Sequence, residues 1–239
     1  MNLVVDNGNT RTKLALFGSD GDWKTFAFDT SAALDEFLRS RSFQHVLVSS
    51  VKRPPEEIMS QITAMGKKII LTASVPLPFN VKYRTPNSLG VDRIAAVAGA
   101  GALFPQRNCL VIDAGTCITY EFLTAEGSYQ GGAISPGIRM RFEAMHRLTA
   151  RLPLVSPIKE PPLIGASTEE SLQSGVMNGV AEEIKGVIAR YDAIAPELQV
   201  VMCGGDAPFF ENIRKPAIFV APDLVLHGLR RILMHHAPE

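Results

Sequence analysis

The chain has 239 residues, 46% hydrophobic and 20% charged, with 24 Lys and Arg matched by 24 Asp and Glu. That length suits one large domain or two ordinary ones, and the apolar fraction allows a real core, which excludes disorder. With no net charge there is no bulk field to attract nucleic acid or an anionic membrane, so neither is expected as a partner.

The pattern over residues 3–71 gives three strand candidates, a helix at about 31–40, the strand Val46-Leu47-Val48-Ser49-Ser50, a helix at about 55–65 and the strand Lys68-Ile69-Ile70-Leu71. Strands alternating with helices imply an α/β fold, with helices packed on a mixed sheet. Residues 73–89 contain Pro76, Pro78, Pro86, Tyr83 and Arg84, too proline-rich for a helix and long for a connector, as loops that carry function often are. Gly90-Val91-Asp92-Arg93 then leads into a helix at 94–103, whose many small residues permit close packing against its neighbours.

Strands recur from about 110 to 132, followed by a break at Ile134-Ser135-Pro136-Gly137-Ile138, a helix at about 138–150 and a proline-rich loop at 152–162. Thr168-Glu169-Glu170-Ser171 opens a long helix reaching about 191, with Thr168 or Ser167 as its N-cap. A strand at 198–203 ends in Gly204-Gly205-Asp206, and a last helix covers about 224–235. The chain opens directly on a strand-like run, so no signal peptide is expected, and no run approaches the roughly 20 apolar residues that span a bilayer. Cys109, Cys117 and Cys203 lie within or beside apolar runs and lack the paired spacing of a zinc site, which reads as reduced core cysteines of a cytoplasmic protein.

One pattern occurs twice, as Val4-Val5-Asp6-Asn7-Gly8-Asn9-Thr10 and as Val111-Ile112-Asp113-Ala114-Gly115-Thr116. Such self-similarity points to two related domains, 1–105 and 106–239. Each copy is an apolar run ending in Asp, then a glycine turn whose exposed N–H groups suit a phosphate, then a hydroxyl residue. The aspartate can hold a cation that neutralises the phosphate, and Arg11 or Lys13 can meet the remaining charge. A single Asp-x-Gly is more often an ordinary β-turn. Two copies, each followed by an alternating run, favour a nucleotide site.

Taken together, Asp6-Asn7-Gly8-Asn9-Thr10-Arg11-Thr12-Lys13, Gly90-Val91-Asp92-Arg93, Asp113-Ala114-Gly115-Thr116, Gly131-Gly132-Ala133-Ile134-Ser135-Pro136-Gly137 and Gly204-Gly205-Asp206, in this order and spacing, strongly resemble the type III pantothenate kinases. The resemblance spans essentially the whole chain. It implies two ribonuclease-H-like domains of the superfamily of acetate and sugar kinases, heat-shock ATPases and actin, with ATP in the interdomain cleft. It implies phosphorylation of the primary hydroxyl of pantothenate, the first step of coenzyme A synthesis, by a homodimer that needs magnesium and a monovalent cation, potassium or ammonium.

By similarity to the family, Asp6, Asn7, Gly8, Asn9, Thr10, Arg11, Thr12 and Lys13 surround the ATP phosphates, with Asp6 near magnesium and Thr116 on the nucleotide from the other side. Asp113 matches the monovalent-cation position, and Gly204-Gly205-Asp206 the adenosine side. Asp92 is the expected catalytic base, accepting the proton of the substrate hydroxyl. Arg93 can pair with the pantothenate carboxylate, Gly90 and Val91 belong to the same substrate segment, and Tyr83 can close the pocket. Thr168 is expected at the substrate from the dimer partner.

Plainer readings accompany these. Apart from the family, Asp92 is a helix N-terminal aspartate and Arg93 a surface residue; Thr168 is a helix cap and Tyr83 packs a loop. His45, His146, His227, His235 and His236 have no metal-site spacing, and Trp23 reads as packing. Arg139, Arg141, Arg147 and Arg151 form a basic stripe, solvated or facing a dimer partner. The competing functions are a phosphotransferase with another acceptor and a non-catalytic transcription accessory factor; intact Asp6, Asp92 and Asp113 argue against the latter.

Overall fold

The runs Leu3-Val4-Val5 and Leu14-Ala15-Leu16 are almost wholly buried, and their pairing starts the first sheet. This computed structural model describes residues 1–18, 21–210, 213 and 218–237. The chain divides into two units, one made of Met1–Gln106, Leu123–Gly131 and Asp223–Glu239, the other of Arg107–Phe122 and Gly132–Pro222.

In the first unit β1 (Asn2–Asn7), β2 (Thr12–Phe17) and β3 (Trp23–Phe28) form an antiparallel meander. The helix α1 (Ser31–Arg39) follows, its N-terminus capped by Thr30 and its buried Leu34 and Leu38 facing the sheet core. β4 (Ser42–Phe43), β5 (Val46–Ser50), α2 (Pro55–Ser60), β6 (Thr63–Ala64), β7 (Lys68–Ile70), β8 (Asn80–Val81) and α3 (Val91–Leu103) complete the run. The sheet order is β3-β2-β1-β5-β7, with β5 parallel to both β1 and β7. The helix expected over 55–65 stops at Ser60, because Thr63 and Ala64 pair with β4 instead; tertiary pairing overrides local propensity there.

The second unit holds β9 (Cys109–Ala114), β10 (Cys117–Leu123) apart from its last residue, the end of β11 (Ser128–Pro136) from Gly132 on, α4 (Ile138–Leu148), α5 (Thr168–Gln173), α6 (Gly179–Asp192), β12 (Gln199–Cys203) and β13 (Phe219–Val220). Strand order runs β13-β12-β9-β10-β11-β8, and β8 meets β11 at Ser128 and Tyr129, a stretch that belongs to the first unit. The expected break at 134–138 begins later, since β11 continues to Pro136. The helix expected over 168–191 is interrupted by a π-helical turn, Ser174–Asn178. There the Ser174 hydroxyl donates to the Leu163 carbonyl at 2.9 Å and the Asn178 amide to that of Pro162 at 3.3 Å, so the irregular turn ties down the proline-rich loop.

The last helix, α7 (Leu224–His236), packs on α3 within the first unit. The small residues of α3 have the expected purpose: a Cβ on Gly228 would collide with the Ala95 carbonyl oxygen, and one on Gly99 with that of Leu224. Trp23 packs as expected, stacked on His227 at 4.6 Å between centroids. Cys109 and Cys203 are buried and in no disulfide, burial raising the Cys109 thiol to about 11, whereas Cys117 is only half-buried. No helix among the described residues is long and apolar enough to cross a membrane.

Candidate active site

The loop after β1 is built around Asn7, which is 7% exposed. Its amide donates to the Thr12 hydroxyl at 2.6 Å, and its Oδ1 accepts from the Ser50 hydroxyl at 2.9 Å and the Arg53 N–H at 3.0 Å. Its carbonyl accepts from the Val51 N–H, and Ser50 also donates to the Arg53 carbonyl. Arg53 is in turn held by Asp35 at 2.8 Å and Glu57 at 3.0 Å. The side chains of Asn7 and Thr12 are thus spent on shaping the loop. Asp6 stands opposite Lys13 across the β1–β2 ladder, and Lys13 lies 3.9 Å from Asp223. Asn9, Thr10 and Arg11 are exposed, Arg11 in an ion pair with Asp29. Gly8 has no left-handed backbone, and a Cβ there would meet only the Arg11 carbonyl at 3.4 Å, so the turn itself does not demand glycine.

The second group in this unit sits where α3 begins. The helix starts at Val91 rather than 94, with Gly90 as its cap, which brings Val91, Asp92 and Arg93 into the first turn. Asp92 Oδ1 accepts from the Arg93 N–H at 2.9 Å, as the helix-terminus reading expects. The surface reading of Arg93 is wrong: the residue is 7% exposed, with its guanidinium 5.5 Å from the centre of the Tyr83 ring. Tyr83 lies parallel to Tyr129 and is wedged against Gly131, whose φ of +99° and missing Cβ make room for the ring. A Cβ on Gly90 would fall 2.5 Å from Asp92 Oδ1, so any other residue here would make the carboxylate turn from its present place.

In the second unit Asp113 and Ala114 end β9 beside the register partner Cys203. Gly204, with φ +92°, lies so close that a Cβ would collide with the Ala114 carbonyl oxygen and approach Asp113 Oδ1 to 2.5 Å. The Asp206 N–H donates to that same Ala114 carbonyl at 2.9 Å, and burial raises the Asp206 carboxyl. Thr116 is exposed at the loop tip. The Gly137 N–H donates to the Thr116 carbonyl at 3.2 Å, and a Cβ on Gly137 would collide with the carbonyl oxygens of both Gly115 and Thr116.

Thr168 is exposed in the first turn of α5; the N-cap is Ser167, whose hydroxyl accepts from the Glu170 N–H at 3.2 Å. Thr168 lines a cavity of about 570 Å³ together with Met145, Leu152, Gly165, Ser167 and Ser171. Leu148, Leu163 and Ile164, on the segments that carry these lining residues, are 84%, 83% and 85% exposed.

A family model described as type III pantothenate kinase matches residues 2–190. The chain belongs to the type III pantothenate kinase family. Proteins named type III pantothenate kinase from Christiangramia forsetii and Phocaeicola vulgatus are 40% and 41% identical to it over 237 and 240 residues, with 98% or more of each chain covered. The family's reaction is phosphorylation of pantothenate in coenzyme A synthesis, and this member is a kinase of that kind.

Solved structures bear on the fold. A protein described as a Baf family transcriptional activator from Campylobacter jejuni superposes with TM-score 0.65 at 22% identity, covering 99% of this chain and 98% of its own. One described as a 2-dehydro-3-deoxygalactonokinase from Sinorhizobium meliloti gives 0.60 at 16%, with both chains fully covered. The Clostridium difficile activator of 2-hydroxyisocaproyl-CoA dehydratase, solved with bound ADPNP, gives 0.57 at 14%, covering 99% of this chain and 95% of its own. These likenesses establish the α/β architecture of paired ribonuclease-H-like domains, and at such identities they speak of nothing more.

Two residues that shape the first of these loops are invisible to motif reading. Ser50 and Arg53 reach Asn7 from more than 40 residues away. The parallel register that sets Ser50 beside Asn7 is the only signal that could have found them. Arg141 belongs to the basic stripe read as solvated or partner-facing, yet its side chain turns inward to Ser135, Pro136 and Glu183, which corrects that expectation.

Proposed function

We propose that Asp92 is the general base that takes the proton from the primary hydroxyl of pantothenate as ATP delivers its terminal phosphoryl group, giving 4'-phosphopantothenate. The observation that carries this is the start of α3. Glycine at position 90 leaves the Asp92 carboxylate its present place, and the backbone N–H of Arg93 engages Oδ1, which supports a reading in which Oδ2 takes the proton. Arg93, beside Tyr83, supplies a guanidinium for the carboxylate of pantothenate, and Gly90, Val91 and Tyr83 line that site. Thr168 acts from the partner of a homodimer. The nearly bare Leu148, Leu163 and Ile164 support such an assembly, since apolar side chains this exposed mark covered surface.

The loops at 6–13 and at Thr116 are the phosphate-binding elements of their units, with backbone N–H groups giving the grip. Asn7 and Thr12 act through loop shape, whereas Gly8, Asn9, Thr10, Arg11 and Lys13 face the phosphates. Among the described residues no group of three or more His, Cys, Asp or Glu could hold a metal ion. In this reading magnesium is held by one protein carboxylate, Asp6, with the rest of its ligands from nucleotide and water. When bound, it neutralises phosphate charge. Asp113 and neighbouring carbonyls suit a monovalent cation such as potassium or ammonium. The sequence repeat supports 1–105 and 106–239 as the two duplicated halves of the chain, although 123–131 and the last helix belong to the first unit, and the cysteines, none in a disulfide, support a cytoplasmic location.

The test is coupled ADP release from magnesium ATP, with and without pantothenate, in potassium and then sodium. Release that needs pantothenate and rises in potassium is expected. Asp92→Asn should lower turnover by about 100- to 10,000-fold with nucleotide binding kept, since it removes proton acceptance and little volume. Wild-type turnover in that variant would remove Asp92 from the role, and potassium dependence unchanged in Asp113→Ala would do the same for Asp113.

A further inference from the structure

Arg141 and Glu183 contact no substrate in the reading above, yet their geometry is closely specified. Arg141, one turn into α4, reaches back toward the end of β11. Its Nε donates to the Pro136 carbonyl at 2.9 Å, and its Nη2 donates to the Ser135 hydroxyl at 2.8 Å and to Glu183 Oε2 at 2.5 Å. Glu183, on α6, accepts at Oε1 from the Tyr120 hydroxyl at 2.9 Å, and Tyr120 on β10 is 1% exposed. One guanidinium and one carboxylate therefore join β10, β11, α4 and α6. An arginine fork suits this because its donors are fixed in one plane, so three acceptors define its position.

What the fork holds is Ser135-Pro136, and the next residue is Gly137. Gly137 donates to the Thr116 carbonyl and lies too near the Gly115 and Thr116 carbonyl oxygens to tolerate a Cβ. Any shift of Ser135 and Pro136 is passed directly to the backbone of Gly115 and Thr116, because no soft side chain intervenes. A partly buried ion pair is weak as a source of net stability, since desolvation offsets much of the attraction, and its stronger use is to select one geometry.

We propose that Arg141 and Glu183 are positioning residues for the loop at Gly115 and Thr116, setting its backbone for the phosphates of ATP. This rests on the reading of that loop as phosphate-binding. Tyr120 supports the carboxylate from below, and Ser135 with Pro136 transmits the position.

The experiment uses the full chain and the variants Glu183→Gln, Arg141→Lys and Ser135→Ala. It measures KM for magnesium ATP and for pantothenate, kcat, the melting temperature, and direct calorimetric binding of the magnesium complex of the non-hydrolysable analogue ADPNP. Glu183→Gln should raise KM for ATP and weaken ADPNP binding about tenfold, as loss of a supporting shell does, while KM for pantothenate stays within about twofold. Arg141→Lys should match it, because a single ammonium nitrogen cannot reproduce the planar spread by which Nε and Nη2 reach Pro136, Ser135 and Glu183 at once, and Ser135→Ala, which keeps the ion pair, should show a smaller effect of the same kind. Unchanged ATP and ADPNP parameters would overturn the proposal. So would equal losses for both substrates accompanied by a fall in melting temperature, which is the mark of a merely structural pair. If the wild-type chain binds ADPNP but does not use pantothenate, the functional reading fails and the binding data still decide the positioning role. If it does not bind ADPNP at all, both fail.

Discussion

In the loop after β1, a buried amide does the holding: Asn7 engages Thr12, Ser50 and Arg53, and Arg53 is anchored to Asp35 and Glu57. In the loop after β9 the side chains withdraw, and Gly137 and Gly204 lie directly on the carbonyl oxygens of Ala114, Gly115 and Thr116. The sequence repeat makes these loops look alike, yet they respond differently to change. A loop held by hydrogen bonds loosens by degrees, since each bond contributes about 0.5–1.5 kcal/mol. A loop held by backbone packing has no such gradation, because an added methyl meets a carbonyl oxygen that cannot move without its strand.

The largest effect is expected where the packing is tightest. Gly204→Ala combines a left-handed backbone with the Ala114 collision and should cost roughly 3 kcal/mol or more, read from denaturant unfolding. A loss under about 1 kcal/mol would show that the second loop is as compliant as the first. Asn7→Ala, which abandons the partners of a buried amide, should cost roughly 1–3 kcal/mol and raise KM for ATP while leaving the fold intact. If instead it unfolds the protein, the graded response assigned to that loop is wrong.

A pH titration separates the two loops further. Burial opposes ionisation of Glu183, but hydrogen bonds from Arg141, Ser135 and Tyr120 outweigh it and hold the carboxyl below its usual range. A carboxyl lowered on folding contributes stability that is present above its unfolded pKa and is lost as pH falls through the folded value. Wild-type stability should therefore decline on the acid side more steeply than that of Glu183→Gln, in thermal melts below about pH 5. Identical acid limbs would remove the charge from the account. The smallest effect belongs to Arg11→Ala, whose pair with Asp29 is solvent-exposed; stability should change by less than about 0.5 kcal/mol.

Much of the site was legible in local sequence. The Asp-and-glycine turns, Gly90 through Arg93 and the strand before Gly204 depend on short-range rules, and β5, α1 and α4 begin where the apolar pattern says they should. The burial of Arg93 was not legible, because it depends on Tyr83, Tyr129 and Gly131, which come from a distant loop and strand. Nor was the inward turn of Arg141. Two residues from Arg139, it lies on another face of α4, and only Glu183, 42 residues on, shows what that face meets.

By itself the sequence determined the α/β class, the duplicated strand-turn pattern and the family, since these rest on periodicity, turn chemistry and motif order. Tertiary structure alone decided which polar side chains spend their atoms on other side chains, as Asn7, Thr12, Arg141 and Glu183 do. A hydrogen bond is chosen by whichever partner the fold brings within about 3 Å, and sequence distance carries no information about that.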